Sequence, residues 1–340
     1  FKGLTTSELA TLNIDGLVED VYQLSPLQQG IYYHWLSDTS STMYFEQVSY
    51  RIKGIDLNVD SIKRAYKELI ARYPVLRTSF VNDYAGTPLQ IVKKNTSANF
   101  SYIKAPRDID KEKITEYIEN IKLQDRQKGF NLEEASQMRL IILDLGNNDF
   151  EFIWSHHHIL MDGWCLSILI NDFYQLLYKS GNSKDLPVPT PYSNYIQWLE
   201  GIDRKTSVKY WKEYLSDYQS VVSVPFKKIG NNTHQAYKAN QEVIKVKGDL
   251  LAQLNQLCKE AGITQNTFIQ AVWGYLLSRY NSTQDVVFGS VVSGRPAGLS
   301  GVENMIGLFI NTIPRNYSRL KLIFRYIIKE DYKVILLNKA

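Results

Sequence analysis

Apolar and polar residues recur along this chain at two periods, and the period switches many times. Tyr44 to Lys53 alternates at every second residue and predicts a strand. Val59 to Arg72 places Ile62, Ala65, Tyr66, Leu69 and Ile70 on one face of a helix. Residues 25 to 37 also repeat at helical spacing, opened by Ser25 as N-cap and Pro26 as first helical residue. Leu76 to Val81 and Pro88 to Val92 read as strands, and Ile109 to Gln127 as a charged helix. Met138 to Leu145 and Asp149 to Trp154 form a predicted hairpin, turned at Gly146-Asn147-Asn148. A helix is expected over Trp164 to Tyr178. The stretch Lys179 to Pro191, with Pro187, Pro189 and Pro191 in alternation, reads as a boundary. Beyond it, helices are expected at Tyr195–Leu199, Val208–Leu215, Leu250–Ala261 and Thr267–Tyr280. Strands are expected at Gln241–Val246, Val286–Val292 and Gly307–Pro314. Helices and strands alternate on both sides of the boundary, which predicts two α/β lobes.

Chemistry concentrates where the apolar run Phe150–Trp154 ends, in Ser155-His156-His157-His158-Ile159-Leu160-Met161-Asp162-Gly163-Trp164. Three of the five histidines stand here in a row. Imidazole is the side chain best suited to moving protons near neutral pH. One reading is a loop of surface histidines, but the flanking Phe, Ile, Trp, Leu and Met argue for burial. A second is a metal site using His158 and Asp162. Zinc takes three or four protein ligands. His34 and His234 are remote, and Cys165 and Cys258 form no ligand-spaced pair. The third reading is metal-free acid–base chemistry, with Asp162 orienting the loop and Gly163 permitting close backbone approach.

The composition is that of a globular chain: 340 residues, 44% hydrophobic and 22% charged. No apolar run reaches membrane-spanning length. The net charge of +4 is spread out, with no basic block for nucleic acid. Two isolated cysteines suit a reducing cytoplasm. The chain opens at Phe1 without a signal-peptide layout, and residues 1–15 read as a linker from a preceding domain that carries a capped helix. It is expected to be a piece of a larger polypeptide.

The segment His157-His158-x-x-x-Asp162-Gly163 resembles the signature of condensation domains of non-ribosomal peptide synthetases, within the chloramphenicol-acetyltransferase-like superfamily. Four further segments resemble that family's motifs in order. They are Leu24–His34, Arg72–Phe80, Tyr192–Trp198 and Ile306–Thr312, the last preceded by Gly294-Arg295-Pro296. The resemblance implies an α/β fold of two such lobes in a V around a central tunnel. Residues 16–180 would form the N-terminal lobe, 181–191 the inter-lobe linker and 192–340 the C-terminal lobe. The resemblance fades after about residue 315, so the second lobe is expected to be partial.

The implied activity is amide formation between a donor thioester and an acceptor amine. Both are carried on phosphopantetheine arms of an upstream donor and a downstream acceptor carrier domain, beside an adenylation domain. No intrinsic cofactor, metal, nucleic acid or membrane is implied. The resemblance makes His158 the acid–base or amine-holding residue, with His157, Asp162 and Gly163 completing the catalytic motif. Asp162 is expected to pair with Arg72 or Arg77. Asn311, Trp164, Ser25 and Gln28 are expected near the tunnel, and Trp211 in the core. The motif wording is closest to domains joining an L donor to an L acceptor. Alternatives are an inactive fragment that docks carriers, an epimerisation-type relative and an acyltransferase using free coenzyme A.

Overall fold

The computed structural model describes residues 4–13, 15–84, 87–106, 112–180, 186–219, 221–225 and 242–316. They fall into two compact units. One lies within Phe1–Ile202 and Ser293–Ile310, the other within Asp203–Val292 and Asn311–Ala340.

The first unit is built on two sheets. In chain order its strands are β1 (Val18–Gln23), β2 (Phe45–Lys53), β3 (Thr78–Tyr84), β4 (Thr87–Lys93), β5 (Asn99–Lys104), β6 (Met138–Asp144) and β7 (Asp149–His157). The larger sheet has the order β2-β7-β6-β5, antiparallel except for the parallel β5–β6 pair. The smaller has the order β1-β4-β3. β7 is central, paired on both edges, and buried from Phe150 to His157. That burial is why Phe150 to Trp154, broken only by Glu151, is rich in apolar residues and does not alternate strictly. The β6–β7 turn uses Gly146, Asn147 and Asn148, all at positive φ, which Gly and Asn tolerate best.

Helices α1 (Thr6–Leu12), α2 (Pro26–Ser37), α3 (Val59–Arg72), α4 (Ile114–Lys128), α5 (Gly163–Gln175) and α6 (Ser193–Glu200) complete this unit. The α1 start carries the expected capping box, Thr5 with Glu8. The five apolar residues of the α3 stripe are at most 2% exposed. Trp154 of β7 meets Tyr66 of α3 and Phe173 of α5 edge-on, at 5.9 and 5.1 Å between centroids. The core thus grips β7 and the helix that follows it, fixing both ends of the histidine turn.

Several expectations shift. The strand expected at Leu76 begins at Thr78, because Pro74–Arg77 winds into a 3₁₀ turn with proline at its start. β1 and β5, short and only partly buried, had no clear alternation to read. α4 starts at Ile114; the earlier part of the expected helix includes residues 109–111, outside the described ones. Among the described residues, 242–247 join no ladder, and Ile244 is 91% exposed; Gln241 lies outside the described residues. The last strand begins at Asn311, and residues 307–310 form a buried loop. Of the expected boundary, residues 181–185 lie outside the described ones and Leu186–Pro191 carry no helix or strand. The compact units divide later, at Ile202, and Ser293–Ile310 returns to the first unit. The expected divergence beyond Asn316 falls outside the described residues.

The second unit holds α7 (Arg204–Tyr214), α8 (Gly248–Ala261), α9 (Gln265–Tyr280) and a two-stranded sheet of β8 (Val287–Val292) and β9 (Asn311–Asn316). No residue of α7 is buried, so Trp211 is not a core residue; it stacks edge-on to Tyr210 and Tyr214. On α9, Ile269, Val272, Trp273, Leu276 and Tyr280 share a stripe that is exposed. A two-stranded sheet is marginal on its own, and few apolar side chains among the described residues of this unit are buried, which means low local stability. Hydrogen exchange is therefore expected to be faster in residues 248–292 than in β2, β6 and β7. Equal protection would show a tighter second unit than this packing supplies.

Candidate active site

The histidine run straddles the end of β7. His156 and His157 are its last two residues, and His158 begins the turn. His156 is 5% exposed and stands opposite Glu46 of β2 and Met138 of β6. His157 is 4% exposed, and its Nδ1 accepts the N–H of Ile159 at 3.2 Å. Its ring lies against Tyr44 and Phe130. Burial, with the neighbouring histidines adding to it, pushes both His156 and His157 down to about 3. They are neutral at physiological pH, and they shape the turn.

This burial has a sign that can be tested. Both rings are neutral when folded and take up protons below about 6.5 once unfolded. The unfolded state then binds more protons, so stability falls as pH drops from 6.5 toward 3. Each histidine contributes about 1.4 kcal/mol per pH unit inside that window. Urea unfolding between pH 7 and pH 5 is expected to show the loss, and His156→Gln to reduce its slope by about half. A flat profile in the parent chain would mean the rings are not held neutral.

His158 differs from its neighbours. It is half-buried, and its backbone N–H donates to the Tyr44 carbonyl at 2.8 Å. Tyr44 sits at φ 65, a left-handed conformation that is uncommon for a tyrosine. The His158 Nδ1 is buried and has no hydrogen-bond partner among the described residues.

Asp162 ends the turn. It is 1% exposed and occupies the N-cap position of α5, yet its side chain does not cap that helix. Oδ2 accepts the N–H groups of Phe309 and Ile310 at 3.1 and 3.3 Å. Oδ1 lies 3.6 Å from the Arg295 guanidinium, itself 8% exposed. The expected partners are engaged elsewhere. Arg72, in the last turn of α3, pairs with Asp172 of α5 at 3.0 Å; Arg77 pairs with Glu19 of β1 at 2.6 Å. Both arginines face elements packed beside them, whereas the 305–310 loop brings Arg295's segment to Asp162. The supporting arginine is therefore Arg295, of Gly294-Arg295-Pro296.

Cys165 ties the same joint. Its Sγ lies 3.2 Å from the Gly307 carbonyl, 3.4 Å from Asp162 Oδ1 and 3.2 Å from the Arg295 guanidinium. Burial, then the Asp162 charge, pushes this thiol up to about 12, so it stays protonated. Neither this residue nor Arg295 stood out as a site residue, because their partners are distant in sequence.

The remaining expected site residues scatter. Ser25 and Gln28 are 4% and 0% exposed and form the capping box of α2. Gln28 sits behind the turn, its Nε2 donating to the Ile159 carbonyl at 3.0 Å. Trp164 is 59% exposed, with Nε1 donating to the Glu303 carbonyl at 3.1 Å. Asn311 belongs to the other compact unit, where Oδ1 accepts the N–H of Thr312 at 2.8 Å. No group of three metal-ligating side chains occurs among the described residues.

Gly163 opens α5 and is exposed, with a φ outside the left-handed range. A Cβ there would meet nothing within 4 Å. The fold does not require glycine at this point, so any requirement comes from what approaches it. Gly163→Ala is expected to keep its melting temperature and lose activity. Retained activity would show that nothing in the reaction approaches that backbone.

A neutral, packed pair of histidines, a half-buried third and a buried carboxylate turned off its own helix are now placed on one turn. The condensation domain family model matches residues 18–330. The chain belongs to the condensation domain family. The match runs past residue 315, where the resemblance was expected to fade. Gramicidin S synthase 2 of Brevibacillus brevis is 40% identical over 301 residues. The alignment covers 87% of this chain and 7% of that protein. Bacitracin synthase 1 of Bacillus licheniformis is 36% identical over 303 residues, covering 88% of this chain and 6% of that protein. The chain thus spans a small part of each. A four-domain nonribosomal peptide synthetase bound to AMP and glycine superposes with a TM-score of 0.73 at 21% identity. It covers 91% of this chain, which covers 24% of it, and the likeness shows the mixed α/β condensation fold. No described helix is long and apolar enough to cross a membrane.

Proposed function

We propose that this domain forms a peptide bond between a donor aminoacyl or peptidyl thioester and the amine of an acceptor aminoacyl thioester. Both substrates ride on phosphopantetheinyl carrier domains, next to an adenylation domain of the same synthetase. The acceptor nitrogen attacks the donor carbonyl, the new C–N bond replaces the C–S bond, and the freed thiol leaves with the proton the amine gives up. The domain brings no cofactor of its own; the carriers bring phosphopantetheine. Much of the rate comes from holding two tethered reactants together.

One observation carries the assignment of roles. Of the three consecutive histidines, two are pinned neutral by burial and packing, and His158 alone is half-buried with an unpartnered ring nitrogen. His158 therefore takes or holds the amine proton. Asp162 serves the turn, fixed by Arg295 and two backbone N–H groups. The α5 start has no side-chain cap, which supports a role for its first N–H groups in favouring a developing oxyanion beside Gly163. The substrates are an L donor and an L acceptor, as the motif wording suggests; His157 argues against heterocyclising relatives, which carry an aspartate there. Both cysteines are free and buried, which supports a reducing cytoplasm.

The test replaces the donor carrier with the coenzyme A ester of the same acyl group. Carrier-bound donor is expected to react and the coenzyme A ester to react poorly. Equal rates would point to an acyltransferase that uses free thioesters.

A further inference from the structure

We infer that Gln90 is a positioning residue for His158, acting through Gln28. The His158 ring has nothing holding its Nδ1 among the described residues, so its place is set by backbone on either side. On one side its N–H reaches the Tyr44 carbonyl at 2.8 Å. On the other, the carbonyl of the next residue, Ile159, accepts from Gln28 Nε2 at 3.0 Å.

Gln28 is held in turn by Gln90 of β4, and both side chains are fully buried. The two amides bond reciprocally. Gln28 Nε2 donates to Gln90 Oε1 at 3.1 Å, and Gln90 Nε2 donates to Gln28 Oε1 at 2.9 Å. The second N–H of Gln90 reaches the Gln23 carbonyl at 3.1 Å, and Gln28 Oε1 also accepts the Ser25 N–H at 3.0 Å. All four amide N–H bonds are therefore used.

This closed set permits one orientation. Turning the Gln28 amide over would set its NH₂ against the Ser25 N–H and its oxygen against the Ile159 carbonyl. Turning Gln90 over would set its oxygen against the Gln23 carbonyl. Either change leaves buried donors or acceptors unpaired, which is costly. Gln90 thus fixes Gln28, and Gln28 fixes the carbonyl beside His158. Gln90 touches neither His158 nor a substrate in this scheme; its effect passes through the turn.

The test is Gln90→Met, close in size and unable to hydrogen-bond in this way. Amide-forming kcat is expected to fall about tenfold to a hundredfold with the KM for the acceptor carrier little changed, because a small misplacement of a catalytic group costs rate. The His158 ring resonance, assigned by its loss in His158→Ala, is expected to shift or split. The double variant Gln28→Met/Gln90→Met is expected to lose no more kcat than Gln28→Met alone. A lower melting temperature with unchanged kcat and an unchanged His158 resonance would overturn the proposal, as would additive losses in the double variant. If Gln90→Met does not fold, Gln90→Asn, which keeps an amide too short to span both partners, is read the same way. The kinetic arm rests on the amide-forming reading, whereas the resonance does not. A shifted resonance in a domain with no amide-forming activity would count against that reading and leave the role of Gln90 standing.

Discussion

His158→Ala is expected to abolish amide formation while leaving the domain folded. The ring is half-buried and its Nδ1 is unpartnered among the described residues, so no hydrogen bond at that nitrogen supports the fold. Removing the ring leaves the turn held by backbone bonds to Tyr44 and Gln137 and by the Gln28 side chain on the Ile159 carbonyl. A general acid–base group contributes about 10² to 10⁴-fold to rate, and the fall in kcat is expected within that range. His156→Ala is the contrasting case. That ring is packed in the sheet, so its loss is expected to lower stability and leave the chemical step alone. Circular dichroism and single-turnover kinetics on both variants separate the two effects. If His158→Ala kept most of its rate, the residue would have neither a proton-transfer nor a positioning role.

Asp162→Asn is expected to damage the fold more than any chemical step. The carboxylate accepts two backbone N–H groups and faces a buried guanidinium. An asparagine cannot satisfy both sides. With its oxygen toward Phe309 and Ile310 its NH₂ confronts Arg295; turned over, its NH₂ confronts two N–H donors. Breaking a buried pair by removing one partner costs about 3–5 kcal/mol, a large part of the roughly 5–15 kcal/mol that holds a typical domain together. Soluble yield and melting temperature are expected to drop sharply. Arg295→Gln is expected to do likewise, and the double variant to cost less than the sum, as coupled neighbours do. Arg72→Gln would disturb the α3–α5 pair with Asp172 instead, and should show no such coupling to Asp162. A stable, inactive Asp162→Asn would give the carboxylate a direct chemical role.

The sequence carried the parts of this domain whose burial is one-sided or complete over a run. The α3 stripe was legible because all five of its apolar residues face the core. β7 was legible because it is paired on both edges and carries the largely apolar run Phe150–Trp154. The motif residues His157, His158 and Asp162 could be found because they are close in sequence. What holds them could not. Arg295 lies 130 residues beyond Cys165, and only the return of Ser293–Ile310 to the first unit brings them together. The family resemblance pointed to Arg72 or Arg77 as the partner of Asp162; each arginine has a carboxylate on its own packed neighbour instead. Gln90 was hidden for a related reason. A polar residue among Leu89, Ile91 and Val92 reads as a solvent-facing strand position, yet it is fully buried against Gln28. In the second unit, Gln241–Val246 read as a strand, but 242–247 pair with no strand among the described residues. Periodicity reports which face is apolar and says nothing about whether a partner is present.

The measurement that bears most directly on the proposed reaction is intact-protein mass spectrometry of the acceptor carrier. Donor-loaded and acceptor-loaded carriers are mixed with the domain and quenched at intervals. The acceptor carrier is expected to gain the mass of the donor acyl group through an amide, at a rate lost in His158→Ala and kept in a folded His156→Ala. An acceptor carrier that gains no mass, with both carriers loaded and the domain folded, would contradict the proposed reaction.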